Sequence, residues 1–283
     1  MEKFNAYAKI NLSLDVCGKR SDGYHTLKSV VQSVSLADEI FVGKCDKGIN
    51  FSCSDGKIPD GENLCLKAAD LFFRNAGIMP NVKIVLKKHI PVTAGLGGGS
   101  ADAAAMLKAL NKIYGRPIEK DELLKIGLSL GADVPVCMEG GTALMEGIGE
   151  KLTRLPDLPD CHILIAKKGE KGSTGEMYRR LDGMESVKSS DMDSVLKGLS
   201  DGDLRLMCGG LYNCFEAVYS GEHIGVPKKF MRDGGALYFG MSGAGPSVFG
   251  IFEDEYGAEI AEEKLSAAGF ECFICVPTRA EDF

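Results

Sequence analysis

The chain has 283 residues, 45% of them hydrophobic, a net charge of −7 and a pI near 5.3. That acidity argues against a nucleic-acid surface, and no apolar run is long enough to span a membrane. The length allows one large domain or two ordinary ones. Met1-Glu-Lys-Phe4 runs directly into a strand pattern with no leader-like segment ahead of it. The expectation is therefore a soluble, cytoplasmic protein with no membrane or nucleic-acid partner. Ten cysteines are scattered through apolar stretches, as small buried hydrophobes are. Cys272 and Cys275 form a CxxC spacing, but they lie in a strand-like run that points them to opposite faces. The four histidines show no metal-ligand spacing.

In chain order, residues 4 to 16 alternate. Ile10, Leu12, Leu14 and Val16 share one face; Lys9, Asn11, Ser13 and Asp15 share the other. The polar face meets either solvent or a cleft. Arg20-Ser-Asp22-Gly23-Tyr24-His25 carries an Asp-Gly turn signal and sets an aromatic and a histidine beside it. Residues 30–42 and 49–53 read as strands. Residues 62–75 read as a helix, with Leu64, Ala68, Leu71 and Phe72 inward and Gly77 as its C-cap.

The stretch from Pro91 to Asp102 has the strongest chemical signature. A strand alternation, Val82, Ile84 and Leu86 against Lys83 and Lys87, leads into it. A helical stripe of Met106, Leu110 and Ile113, widened by Ala103 and Leu107, follows. Gly95, Gly97, Gly98 and Gly99 thus occupy a strand-to-helix turn, where glycine permits positive φ and close ligand approach. Ser100 is placed as the N-cap or in the first helical turn. The amides that open a helix lack partners within it and carry the positive end of its dipole, which suits phosphate. No Lys-Ser/Thr follows the last glycine, so this is not a P-loop. Ser100 stands where a Rossmann fingerprint has its third glycine, which disfavours a dehydrogenase.

Further on, residues 121–130 read as a helix ended by Gly131. Asp133 follows in Gly131-Ala-Asp133-Val-Pro135-Val, where a carboxylate either caps a turn or stands in a cleft as a base. Residues 151–160, with two prolines and mixed charge, are the candidate linker. A strand restarts at 162–166. A helix opens near Ser173-Thr174 and includes Tyr178. The polar stretch 182–203 reads as mobile, and 211–218 and 227–232 read as helices. Met241-Ser-Gly243-Ala-Gly-Pro-Ser247 is a second glycine-rich turn, between strands at 236–239 and 248–252. A helix at 258–268 and a strand at 273–276 close the chain.

Three of these segments, 5–12, 91–102 and 241–247, resemble in order and separation the three motifs of the GHMP small-molecule kinases. The match runs nearly end to end. Asp22-Gly-Tyr24-His25, Glu62-Asn63-Leu, Gly131-Ala-Asp133-Val-Pro135 and Ser173-Thr174 followed by Tyr178 resemble the branch that acts on a cytidine-diphosphate-linked polyol.

The resemblance implies an α+β, two-domain fold: an N-terminal ATP-binding domain over 1–155, similar to ribosomal protein S5 domain 2, and a ferredoxin-like C-terminal domain over 156–283. It implies transfer of the ATP γ-phosphoryl group, with Mg2+, to a hydroxyl of the polyol. Asp133 would be the general base and Lys9 its charged partner. Pro91, Val92, Thr93, Ala94, Gly95, Leu96, Gly97, Gly98, Gly99, Ser100 and Ala101 would wrap the ATP phosphates. Asn63 and Lys88 would lie near the adenosine. Tyr24 and Tyr178 would sandwich the cytosine, with His25 hydrogen-bonding it. Asn11 and Thr174 would lie near the diphosphate or base, and Gly243 beside the substrate. Tyr7 departs from a usual proline. Ala94 and Ala101 replace residues often glycine and serine, and Ala244 and Ser247 vary the third motif. Two alternatives stand beside this reading. A GHMP kinase for mevalonate, homoserine or a sugar would not need Tyr24, His25 and Tyr178. An ATP-binding sensor of the same fold would need neither Lys9 nor Asp133.

Overall fold

The computed structural model describes residues 1–56, 58–170, 172–219 and 222–282. Two long strands, β1 (Glu2–Lys19) and β2 (His25–Lys44), form an antiparallel hairpin. β2 pairs with β1 along nearly its whole length. Its other edge is shared: residues 39–44 pair with β4 (Asn81–Lys87), and residues 27–32 with β5 (Thr142–Gly147). β3 (Gly48–Cys53) lies parallel to β4, joined through helix α1 (Leu64–Ala76), and β6 (Lys151–Arg154) extends the sheet beyond β5. Helices α2 (Gly98–Ile113), α3 (Lys120–Leu130) and α4 (Val134–Glu139) complete this half.

The second half begins with β7 (His162–Lys167) and α5 (Thr174–Asp182). There follow α6 (Met192–Asp201), α7 (Leu204–Gly210), α8 (Glu222–Asp233), β8 (Tyr238–Met241), β9 (Val248–Phe252), α9 (Glu255–Ala267) and β10 (Glu271–Cys275). The four strands run β10-β7-β9-β8, antiparallel throughout, which is the ferredoxin-like order. The α+β, two-domain architecture expected from the sequence is present. The expected boundary at 155/156 lies in the connection between β6, which ends at Arg154, and β7, which begins at His162.

Three local expectations are corrected. The candidate linker 151–160 is half strand, because Lys151–Arg154 pairs with β5, and Leu158 is buried. The polar stretch 182–203 contains α6, whose Asp191 caps Ser194 N at 3.2 Å and whose Met192, Val195 and Leu199 bury a narrow stripe. Residues 211–218 hold only a short 3-10 turn, Cys214–Ala217, entered through the capping side chain of Asn213. Val134–Glu139 is helical although it contains Pro135, because proline is tolerated in the first turn.

β1 is buried on both faces. Ile10, Leu12 and Leu14 join the core, yet Lys9, Asn11, Ser13 and Asp15 are buried too. Irregularities in its pairing between Tyr7 and Lys9, Asn11 and Ser13, and Val16 and Gly18 bend the strand. The edge turned away from β2 is where the second half attaches. Leu14 N donates to Tyr212 O at 2.9 Å, and Asn11 N to Ser242 Oγ at 3.3 Å. The C-terminal tail returns to β2, with Thr278 N donating to Ser33 O and Ser35 N to Val276 O, each at 2.9 Å.

Asn213 fastens the third-motif turn. Its Nδ2 donates to Met241 O at 2.7 Å and Gly243 O at 2.8 Å, while its Oδ1 accepts from Phe215 N. It is fully buried. Asn213→Ala therefore orphans buried carbonyls at roughly 1–3 kcal/mol each. Its urea midpoint is expected well below wild type, and an unchanged midpoint would show that water satisfies these groups.

Candidate active site

Between the halves lies a cleft of about 880 Å3. One wall is the glycine turn. Three consecutive carbonyls of that turn point into the protein. Ala94 O accepts from Ser247 N at 3.3 Å, Gly95 O from Ser242 Oγ at 3.0 Å, and Leu96 O from Lys9 N at 2.9 Å. In a trans peptide the N–H points opposite to the carbonyl of the same unit. The amides of Gly95, Leu96 and Gly97 consequently face away from that wall. Gly97 is the N-cap of α2, at φ 69°, and Ala101 N closes the first helical bond to Gly97 O at 2.8 Å. The amides of Gly98, Gly99 and Ser100 have no protein partner among the described residues. Ser100 thus sits in the first turn, not at the cap. The result is a row of unpaired donors at the positive end of a helix sixteen residues long.

Glycine is required here by space as well as by φ. A Cβ on Gly95 would lie 2.5 Å from Ser242 O, and one on Gly97 would lie 2.9 Å from Lys9 Cγ. Thr93 holds φ 53° without being glycine, a strained conformation of the kind found at ligand loops.

Below the loop stand Lys9 and Asp133. Lys9 Nζ is 3.2 Å from Asp133 Oδ2 and donates to Asn11 Oδ1 at 2.7 Å. Asn11 Nδ2 donates to Ser29 Oγ at 2.9 Å, which in turn donates to Ser13 O at 2.6 Å. The lysine is thereby fixed from behind. Its side chain is only 5% exposed, whereas that of Asp133 is 32% exposed and opens to the cleft. Asp133 occupies the N-cap position of α4, yet makes no capping bond. Its carboxylate is not used by the helix.

Lys88 is buried at the foot of the loop between two carboxylates, Asp38 Oδ2 and, at 2.6 Å, Asp102 Oδ2. Asp38 Oδ1 also accepts from Ile90 N at 2.8 Å. Burial alone would lower Lys88, but Asp102 and Asp38 hold it above the usual lysine range. Burial pushes the Asp102 carboxyl up to about 8, against the pull of Lys88. The Oδ1 of Asp102 has no hydrogen-bond partner.

At the far end of the cleft the β1–β2 turn meets α5. His25 lies flat on Tyr178, with ring centres 4.5 Å apart and 13° between planes, and Phe215 meets Tyr178 edge-on at 5.0 Å. The resemblance implies an open slot between Tyr24 and Tyr178; in this structure His25 stacks on Tyr178. Tyr24 is 62% exposed and offers a free ring. His25 Nε2 bonds Asp182 Oδ1 at 2.7 Å, and Lys19 Nζ donates to Asp182 Oδ2 at 2.6 Å.

Of the residues expected at the site, Asn63, Leu96 and Ala101 do not line the cleft; the others do. Leu96 and Ala101 have buried side chains and contribute backbone. Asn63 is buried, its Oδ1 committed to capping α1 through Cys65 N at 3.0 Å. Sequence reasoning missed Ser242, Asn213, Asp38, Asp102, Lys19 and Asp182. Only Asp182 had a legible signal: it stands four residues after Tyr178, on the same helical face.

A strand-fed glycine turn with inward carbonyls, a buried lysine on a cleft aspartate, and a second glycine turn locking both describe a nucleotide-dependent small-molecule kinase. The GHMP kinases N terminal domain matches residues 63–141, and the GHMP kinases C terminal domain matches residues 185–271. The chain belongs to the GHMP kinases. A relative from Clostridium kluyveri, 44% identical over 273 residues covering 95% of this chain and 97% of its own, is named 4-diphosphocytidyl-2-C-methyl-D-erythritol kinase. A solved structure described as 4-(cytidine 5'-diphospho)-2C-methyl-D-erythritol kinase superposes with a TM-score of 0.84 at 32% identity, covering 98% of this chain and 99% of that one. Homoserine kinase from Cytophaga hutchinsonii shares the fold, with a TM-score of 0.76 at 21% identity, covering 98% and 94%.

The raised Asp102 has a consequence for stability. A carboxyl ordinarily titrates near 4, so between about 4 and about 8 the folded chain keeps a proton here that the unfolded chain releases. Raising the pH through that window favours unfolding. The wild-type urea midpoint should fall between about pH 5 and about pH 8 by more than that of Asp102→Asn. Identical pH dependence in the two proteins would rule out the buried proton.

Proposed function

We propose that the protein transfers the γ-phosphoryl group of ATP to the 2-hydroxyl of 4-diphosphocytidyl-2-C-methyl-D-erythritol, giving the 2-phosphate and ADP, a step of non-mevalonate isoprenoid precursor synthesis. The observation that carries the reaction type is the Lys9–Asp133 pair at 3.2 Å beside the unpaired amides of the glycine turn. The identity to kinases of that name over 95% of the chain supports the substrate.

An alcohol is a weak nucleophile at neutral pH. Asp133, free of any capping duty and open to the cleft, accepts the hydroxyl proton as oxygen attacks phosphorus. Lys9 supplies a positive charge beside the reacting oxygens without having to move, because Asn11 holds it. The amides of Gly95 to Ser100 receive the ATP phosphates; phosphoryl transfer otherwise depends on this kind of positioning. Lys88 neutralises the base of the loop. Thr174 and Gly243 line the substrate side. The cytosine ring is held at the group of Tyr24, His25 and Tyr178, with the exposed Tyr24 supplying an open stacking face.

Among the described residues there is no cluster of three His, Cys, Asp or Glu suited to a metal. Mg2+ would arrive on the ATP phosphates, with few protein ligands. When bound, the ion neutralises charge on those phosphates.

ADP release should be followed with Mg·ATP and, in turn, the cytidyl substrate, its uridine analogue, mevalonate, homoserine and galactose. Turnover is expected with the cytidyl compound. Turnover confined to another alcohol would retain the kinase and reject the substrate; ATP binding without turnover would reject the enzyme. Asp133→Asn should lose roughly 10²- to 10⁴-fold in kcat with the KM for ATP near wild type. Wild-type turnover in that variant would remove Asp133 from the role of base.

A further inference from the structure

His25 is held from two directions by one helix. Tyr178 supports its ring face, and Asp182, one turn further along α5, takes its Nε2 at 2.7 Å. Asp182 is fixed in turn by Lys19 Nζ at 2.6 Å. The hydrogen bonds from Lys19 and then His25 hold the Asp182 carboxyl below the usual carboxylate range. An ionised carboxylate only accepts, so the ring nitrogen facing it must donate. In a neutral imidazole the other nitrogen is then an acceptor. No hydrogen bond of His25 Nδ1 is present among the described residues. His25 and Lys19 come from the β1–β2 hairpin and Asp182 from the second half, so the arrangement exists only where the two halves meet.

Cytosine and uracil differ at position 4: cytosine carries an amine that donates, uracil a carbonyl that accepts. We propose that Asp182 is a positioning residue for base specificity. By holding His25 as the Nε2–H tautomer, it presents Nδ1 as an acceptor that pairs with the exocyclic amine of cytosine and repels the O4 of uracil. Asp182 acts through His25 and does not touch the base. Stacking on Tyr24 cannot make this distinction, because every pyrimidine has a π-face. The inference rests on the reading of the cleft as the site of a cytidyl substrate.

The wild type is assayed first with the cytidyl and uridyl substrates. If it turns over neither, the functional reading itself fails, and this inference with it. Given cytidyl turnover, two variants follow. Asp182→Asn offers His25 either a donor or an acceptor, and Asp182→Ala offers nothing. In both, the ratio of kcat/KM for the cytidyl over the uridyl substrate should fall by about tenfold, with the KM for ATP unchanged as the sign of an intact fold. Nitrogen-15 NMR of His25 should show Nε2 protonated and Nδ1 bare in the free wild type, and a tautomer mixture in Asp182→Ala. A selectivity ratio unchanged in both variants, or a wild-type His25 protonated at Nδ1, would overturn the proposal.

Discussion

The site is aimed by three consecutive carbonyls. Ala94 and Gly95 give their oxygens to Ser247 and Ser242 at the two ends of the third-motif turn, and Leu96 gives its oxygen to β1. Peptide planarity then turns the following amides toward the cleft. No side chain is needed to make the phosphate site; it is a property of backbone direction. The same constraint explains the glycines, since a Cβ on Gly95 would strike Ser242 O. It also explains why β1 has to leave one edge unpaired. If another strand covered that edge, Lys9 N could not hold Leu96 O, and the loop would lose one of its three fixings.

The electrostatics follow from this arrangement. Every lysine lining the cleft has an acidic partner: Lys9 with Asp133, Lys19 with Asp182, and Lys88 with Asp38 beside the raised Asp102. A cleft lined with unpaired ammonium groups would attract many anions. On the proposed function, the attraction for phosphate comes mainly from oriented amides and the α2 dipole, which act only at close range and in one geometry. The lysines instead fix carboxylates in position. Lys9 stands beside Asp133, the proposed base, and Lys19 beside Asp182, which bonds His25. Lys88, between two carboxylates and almost without water, keeps the loop's foot attached to β2 and α2.

Much of this was legible in the chain. The alternation in β1, the strand–glycine–helix order at 82–113 and the second glycine turn each follow from local periodicity, which survives tertiary packing. What stayed hidden depends on what packs against what. The polar face of β1 reads the same whether it meets water or a cleft, and only the fold reveals that Lys9, Asn11, Ser13 and Asp15 are all buried. α6 was passed over although Met192, Val195, Leu196 and Leu199 fall at i, i+3, i+4 and i+7, because the polar residues around them dominate the stretch. Asn63 illustrates the reverse: its place in a motif suggested a ligand contact, while the local physics of an N-cap claims its oxygen. His25 and Tyr178 were identified, but their stacking was not, since contact between a hairpin and a helix far apart in sequence leaves no local trace.

On the proposed function the cleft has a phosphate end and a base end, and the two are built differently. The phosphate end uses backbone groups, glycines and one lysine–aspartate pair, held within a single half apart from the third-motif turn. The base end uses side chains alone, His25 and Lys19 from the hairpin and Tyr178 and Asp182 from α5, and none of them is constrained by the phosphate end. Asp182 is on the exposed face of α5, whereas Tyr178 packs edge-on against the buried Phe215 of the second core. Homoserine kinase from Cytophaga hutchinsonii shares the fold at 21% identity.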